Sequence, residues 1–570
     1  MANSNSEPNL LQKYMPILGW LPKYSGDQAR KDLTAGLTVG AMLVPQGMAY
    51  AMIAGLPAIY GLYASIVPLI IYAIFGTSRQ LAVGPVAMVS LLTAAGVGSI
   101  ATEGTGQYIQ LAIMAAVMVG LFQFLMGVFR LGFVVQFLSH PVISGFTSAA
   151  ALIIGLSQLK HLLGVDLERS KNIFVILWGA VSNIQNVEPI TLLIGLGSIL
   201  LILGLRKWNK SFPSALVVVV LSTLAVWGFG LQNMGVSIVR EVPQGLPGFQ
   251  VPQFSWEDVQ ALFPTVLAIS LVGFMESIAV AKAVANRHPE YKVDSNQELI
   301  GLGLANIVGG MFQSYPTTGG FSRTAVNEQA GAQTGLASVI SALVIALTVL
   351  FLTPLFYYLP QAVLAAIIMV AVFGLIDIKE AKFLWKTRKK DFLMLLATFL
   401  GTLLLGIEEG IAIGVIISLV MVIYRSSRPH MAVLGWIPEK DIYRNIDRYP
   451  EAKTIAQTLM VRIDAALYFA NVDYIKDKLQ ELEHTEGEQL KNIIIDANGI
   501  NDVDSSAIHA LKELIKEYEE QGVEWYFAAV KGPVRDMFEK TGIYEHLGKD
   551  HFFDTVNEAN KRILGHELID

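Results

Sequence analysis

Between residues 33 and 425 apolar stretches follow one another with only short polar links, and this repetition leaves few folds open. A stretch crosses a bilayer as a helix when it holds ~20 mostly apolar residues, fewer where the helix is broken. On that basis the stretches are 33–54, 57–75, 84–99, 109–129, 142–159, 188–205, 213–231, 262–285, 297–312, 321–334, 336–357, 361–377, 391–407 and 409–425. Two of them, 84–99 and 321–334, are too short for full spans, and 131–141 and 172–184 read as interfacial. The chain has 570 residues, of which only 15% are charged, against about 25% in ordinary soluble domains. Fifty glycines suit membrane helices whose backbones approach closely.

Charge placement orients the spans. On the side of the termini lie Lys23, Arg30 and Lys31, Arg79, Arg130, Arg206, Lys207 and Lys210, Lys282 and Arg287, and a dense run from Lys379 to Lys390. The opposite side holds Lys160, Arg169, Lys171 and Arg240, with Glu408 and Glu409. Cations gather on the cytoplasmic side, so both termini are expected in the cytoplasm of an integral plasma (inner) membrane protein. The first residues, MANSNSEPNLLQKYMPILGW, lack the apolar core and cleavage site of a secretory signal. With no cysteine, disulfides and thiolate chemistry are excluded.

Two charges lie at membrane depth. Glu276 sits in PTVLAISLVGFMESIAVAKAVA (264–285), about twelve residues into its span and so ~18 Å down. Arg323 sits in TTGGFSRTAVN (317–327). A bare charge in hydrocarbon costs ~3 kcal/mol or more, so such groups face a pathway, a ligand or each other. Lys282 is six residues beyond Glu276, off its face, and is expected to snorkel to the interface. A buried carboxylate can exchange a proton instead of holding its charge, which makes Glu276 a candidate proton carrier. The bland alternative is a hydrogen bond within the bundle.

The third and tenth stretches hint at a repeat of two sets of seven. Both are short, and both are preceded by Gly and Pro: LAVGPVAM (81–88) and SYPTTGGFSR (314–323). Matched broken segments in two halves mark an inverted-repeat transporter whose site lies where the half-helices meet. Free N–H groups at helix starts carry partial positive charge and suit an anion. Gly84, Pro85, Val86 and Ala87 are expected to begin one half-helix, and Phe321, Ser322 and Arg323 the other. Ser322 adds a hydroxyl donor, or is an ordinary cap. Arg323 is a cation at the wrong end of a helix dipole, so something negative is expected beside it. That partner is a transported anion or a permanent ion pair with Glu276. Gln46 and Tyr50, one turn apart in the first span, are further candidate anion ligands, or glue between helices. Asn306 reads as interhelical glue.

After Arg425 the composition turns soluble. TLMVRIDAALYFAN (458–471), KNIIIDANGI (491–500) and VEWYFAAV (523–530) read as strands that alternate with amphipathic helices, a small α/β layer domain. The expected division is an N-terminal segment 1–30, a transport domain 31–427, a polar linker 428–452 and the α/β domain 453–570.

GLPAIYGLYASIVP (55–68), AVGPVAM (82–88), GFMESIAVAKAVA (273–285), NQELIGLGLANIVGG (296–310) and GGFSRTAVNEQAGAQT (319–334) resemble the SulP anion permeases. IIIDANGINDVDSSAIHAL (493–511) resembles the STAS domain that follows SulP membrane domains. The resemblance implies an all-α membrane domain in the seven-plus-seven inverted repeat of the uracil-permease type, with a core, a gate and a homodimer, followed by a cytoplasmic STAS domain. It implies that Arg323 borders the anion site and that the span of Gln46 and Tyr50 lies beside it. The cargo is an inorganic or small organic anion. Sulfate comes first, because the Glu276 span and GGFSRTAVN look most like proton-coupled sulfate permeases; sodium-coupled bicarbonate and dicarboxylates follow. Ser505 and Ser506 match the place of a phosphorylated serine in signalling STAS proteins, although Ala507 stands where that pattern has Gly. A cytoplasmic regulatory partner on STAS, an exchanger or channel mechanism and a membrane sensor are the alternatives. No nucleotide loop, metal spacing or catalytic constellation stands out, so no organic cofactor or metal, no nucleic-acid partner and no enzyme activity are expected.

Overall fold

The computed structural model describes residues 10–133, 139–167, 173–208, 213–440, 442–485 and 490–564. Residues 134–138 of the stretch read as interfacial, and the loop cations Arg169, Lys171 and Lys210, lie outside them. Two compact units divide the chain, 1–418 and 419–570.

The first unit is helical. Each of the fourteen expected stretches is occupied by helix. Among the described residues nine helical stretches are long and apolar enough to cross a membrane. The long first helix, Gly26–Ile53, opens with a capping box in which Ser25 and Gln28 bond each other's backbone N–H. The third and tenth segments are short, as expected: Ala87–Val97 and Phe321–Gln329. At 1.5 Å per residue neither exceeds ~17 Å, about half a bilayer core.

Glycine sets how closely the helices pack. A Cβ on Gly61 would lie 1.8 Å from the carbonyl oxygen of Gly47, so the first two spans touch through their backbones. Gly120 and Gly303 face each other in the same way: a Cβ on either would lie 2.6 or 2.7 Å from the other's carbonyl oxygen. Lipid offers no hydrophobic drive for two apolar helices to associate, so this close van der Waals approach supplies the attraction.

Two buried carboxylates tie loops beside the short helices. Glu298 accepts from Tyr72 Oη (2.6 Å), Thr77 N (2.7 Å), Thr77 Oγ1 (2.6 Å) and Ser78 N (3.1 Å), fixing the chain before the first short helix. Asp32 accepts from Tyr24 Oη (3.2 Å), Gln333 N (2.7 Å), Thr334 N (3.1 Å) and Thr334 Oγ1 (2.5 Å), fixing the chain after the second.

The second unit carries a six-stranded sheet. Its order is Ile442–Asn445, Met431–Ile437, Thr458–Ile463, Asn492–Asp496, Glu524–Ala528 and Phe552–Phe553. The first two junctions are antiparallel and the remaining three parallel. Helices Val472–Thr485, Ser505–Glu519 and Gly532–Thr541 link the parallel strands, and buried Ile493, Ile495, Trp525 and Phe527 form the core. The sheet corrects one boundary. The stretch 428–452, expected as a linker, supplies two strands, because MAVLGWI pairs with Thr458–Ile463. Its polar flanks hide a seven-residue run that lies between two partners, Ile442–Asn445 and Thr458–Ile463.

We predict that Gly61→Ala destabilises the protein by ~1–3 kcal/mol, because a methyl group must displace backbone. Gly197→Ala, with nothing within 4 Å of its Cβ, should be neutral. Thermal melting of the detergent-solubilised variants reads both; equal melting would refute the backbone contact.

Candidate functional site

The site is built on a crossing of non-helical chain. Val83 and Gly84 pair antiparallel with Gly319 and Thr318. Gly84 has φ +149°, a backbone setting that favours glycine. The chain then turns into a helix on each side, from Ala87 after an extended Val86 and from Phe321 after an extended Gly320. Two helix starts are therefore held side by side. Gly84 and Pro85 precede the first helix and do not form its opening turn, a correction to the expected start. Pro85 contributes its carbonyl instead.

Hydrogen bonds pin the crossing. Gly320 N–H donates to Ala82 C=O (3.0 Å), and Ala82 N–H donates to Thr324 Oγ1 (3.0 Å). Gly319 N–H donates to Ser277 Oγ (2.7 Å), which stands 2.6 Å from Thr318 Oγ1, itself a donor to Gly273 C=O. Asn306 accepts from Thr317 N–H (2.8 Å) and donates to Thr317 C=O (3.0 Å), so it mainly ties its helix to the non-helical chain of the crossing; its interhelical bond, the one expected, runs to Gln123 Oε1 at 3.4 Å. Tyr315 Oη lies 3.0 Å from Ser90 Oγ, joining the second segment to the first short helix.

Arg323 is 1% exposed and belongs to the same web. Its guanidinium donates to Pro85 C=O through a short hydrogen bond and reaches Ala82 C=O at 3.5 Å. The partner its charge demands is thus, in part, the backbone of the opposite half. Nε has no partner, and no ion pair joins Arg323 to Glu276 among the described residues.

Beside the crossing lies a cavity of about 480 Å³. Its wall includes Val86, Ala87, Phe321, Ser322 and Arg323 from the two helix starts, Tyr50 from the first span, and Glu276. No side chain caps either short helix, so the N–H groups of their first turns have no intrahelical partner. Glu276 meets the cavity with no hydrogen bond or ion pair among the described residues. The alternative reading, a hydrogen bond within the bundle, has no support among the described residues. Gln46 does not reach the cavity wall; it is buried one turn below Tyr50, with Oε1 unpaired.

By its place in the sequence Arg206 is a loop cation. It stands in the last turn of Pro189–Trp208 and lines both this cavity and a neighbouring one of about 240 Å³ that also reaches Phe321 and Ser322. Periodicity cannot reveal that placement, because a cation near a helix end looks the same whether it faces water or a vestibule. Ser277 and Thr318 carry no signal in the sequence either, being small polar residues in or beside apolar runs.

In the second unit Ser505 and Ser506 are exposed in the first turn of Ser505–Glu519. The cap is Asp504, whose Oδ1 accepts from Ala507 N (2.8 Å), so neither serine is needed for that duty.

Residues 30–398 match the family model described as the Sulfate permease family, and residues 449–559 match the STAS domain. The chain is 44% identical over 569 residues to sulfate transporter 4.1, chloroplastic, of Arabidopsis thaliana, covering 95% of this chain and 82% of that one. It is 37% identical over 572 residues to high affinity sulfate transporter 2 of Stylosanthes hamata, covering 96% and 86%. In structure it is similar to the murine anion transporter Slc26a9 in the inward-facing state, with a TM-score of 0.89 at 28% identity over 98% of this chain and 96% of that one. The transmembrane domain of a cyanobacterium bicarbonate transporter, BicA, gives a TM-score of 0.60 at 26% identity, covering 69% and 98%.

Asn306→Ala should leave the Thr317 N–H buried without an acceptor, at a cost of ~1–3 kcal/mol. Thermal unfolding should show that loss, whereas Gln46→Ala, which removes an amide whose Oε1 is unpaired, should cost less. A stable Asn306→Ala would deny the web its role.

Proposed function

The chain belongs to the sulfate permease family, and from that premise we propose that it takes up sulfate by secondary active transport, driven by protons carried on Glu276. One observation carries the reading: an unpaired carboxylate shares a cavity with two uncapped helix starts. The first-turn N–H groups and the Ser322 hydroxyl are donors suited to oxyanion lone pairs. Tyr50 closes the wall from the first span. Arg323 holds both halves in register and adds its charge behind the site.

Glu276 supplies the coupling. Ionised, it repels an anion entering the cavity; protonated, it does not. Proton binding and anion binding therefore favour each other, and the linkage is reciprocal. The core, carrying both short helices, then moves against the gate by an elevator-like or rocking step. We place both termini in the cytoplasm, in a plasma or inner membrane homodimer, with the STAS domain on that side. The relatives named above are transporters, which supports transport over enzyme activity.

In proteoliposomes an acidic exterior should raise sulfate uptake by the wild type, at zero membrane potential and without sodium. Glu276→Gln mimics the protonated state and should retain binding and exchange but lose gradient-driven accumulation. Equal accumulation by both proteins would exclude Glu276 as carrier. A strict sodium requirement would redirect the assignment to sodium-coupled bicarbonate uptake.

Arg323→Ala should weaken sulfate binding roughly tenfold to over a hundredfold, the worth of a charge-assisted hydrogen bond of ~1.5–3 kcal/mol. Calorimetric titration of the folded variant checks it; an unchanged Kd would reduce Arg323 to scaffolding.

A further inference from the structure

The second unit has a polar pocket of its own, of about 460 Å³, lined by His430, Arg444, Arg448, Tyr449, Arg462 and Asp464 among others. Three arginines and a histidine line it together with a single carboxylate. Asp464 accepts from Arg462 Nε (2.7 Å) and Nη2 (3.0 Å), and its Oδ2 lies 3.0 Å from His430 Nδ1. The two hydrogen bonds from Arg462 hold the Asp464 carboxyl below its ordinary range, so the pocket keeps this one negative charge. Asp496 lies opposite Arg462 on the neighbouring strand, and burial pushes its carboxyl up.

That carboxylate is committed, and it orients Arg462 and His430. Arg444 and Arg448 have no carboxylate partner among the described residues; Arg444 reaches only Tyr443 C=O at 3.4 Å. Like charges gathered in one concavity repel unless an anion enters. Guanidinium donors match tetrahedral oxyanions, which accept paired N–H bonds from the planar fork. The pocket is also close in sequence to an apolar helix long enough to cross a membrane. His430 follows the end of the apolar Ile407–Ser427 helix by three residues, at most ~10 Å of extended chain. Basic groups at such a position attract anionic headgroups.

We propose that His430, Arg444, Arg448 and Arg462 form a second oxyanion site, separate from the transport cavity, that takes a phosphate- or sulfate-type group. The group comes either from free ion or from the headgroup of an anionic lipid. The site is formed wholly by the second unit, so it does not rest on the transport reading.

The test uses the full-length protein in nanodiscs. In phosphatidylcholine alone, radiolabelled sulfate bound per chain is counted for the wild type and for Arg444→Gln/Arg448→Gln. Both positions are exposed, and neither guanidinium is part of the sheet's core, so the variant should fold. In nanodiscs containing phosphatidic acid, native mass spectrometry counts the lipid retained. A site fed by free ion shows as an extra sulfate on the wild type, weakened about tenfold or more in the variant. A site fed by lipid shows as phosphatidic acid retained by the wild type and lost from the variant. Arg444→Lys/Arg448→Lys should recover part of either signal. Equal sulfate counts and equal retained lipid in wild type and the Gln variant overturn the proposal. Because each readout is a difference confined to the second unit, failure of the transport assignment would leave it unaffected.

Discussion

Backbone that leaves helical geometry inside a bilayer must find partners for its N–H and C=O groups within the protein, since lipid offers none. The crossing of Val83–Gly84 with Thr318–Gly319 is where this chain meets that demand. The bridge satisfies some of the groups. Thr324, Ser277 and Asn306 satisfy others from three different helices. Only because these groups are paired can the next N–H groups, in the first turns of the two short helices, be left open to a cavity. An unsaturated site is affordable where its surroundings are saturated.

Arg323 shows how a charge can serve both ends. Its place in a first turn is unfavourable to the helix dipole, and the carbonyls of Pro85 and Ala82 offset this from the opposite half. The two half-helices are thereby fastened across the crossing by a charged staple as well as by the bridge. Glu276 is in the reverse situation. Its neighbour Ser277 turns to the crossing and is fully bonded, while Glu276 turns to the cavity and is not.

Much of this was legible in the sequence. Length and apolarity located stretches that helix occupies, and Gly and Pro located the two short helices. Ala87, Phe321, Ser322 and Arg323 open the two short helices because a turn into a helix start is a local property. What the sequence hid was non-local. Gln46 and Tyr50 share a helix face by spacing, yet only Tyr50 meets the cavity, because depth along the face depends on the partner helix. Arg206 has nothing around it in the sequence to distinguish it from its neighbour Lys207. The carboxylates of Asp32 and Glu298 gained their meaning from loops some 220 to 300 residues away in sequence. The strand Met431–Ile437 reads as linker in the sequence because pairing partners, not composition, make it a strand.

The contrast between these carboxylates has an electrical consequence. Asp32 and Glu298 each accept four hydrogen bonds, on both oxygens, and so serve as fixed fasteners. Glu276 alone of the three is open to the cavity. One exchangeable carboxyl per cavity implies one proton per turnover in the proposed cycle. Sulfate carries two negative charges, so each turnover would bring a net negative charge inward. Current would therefore accompany uptake, and a membrane potential negative inside would work against the pH gradient that drives it.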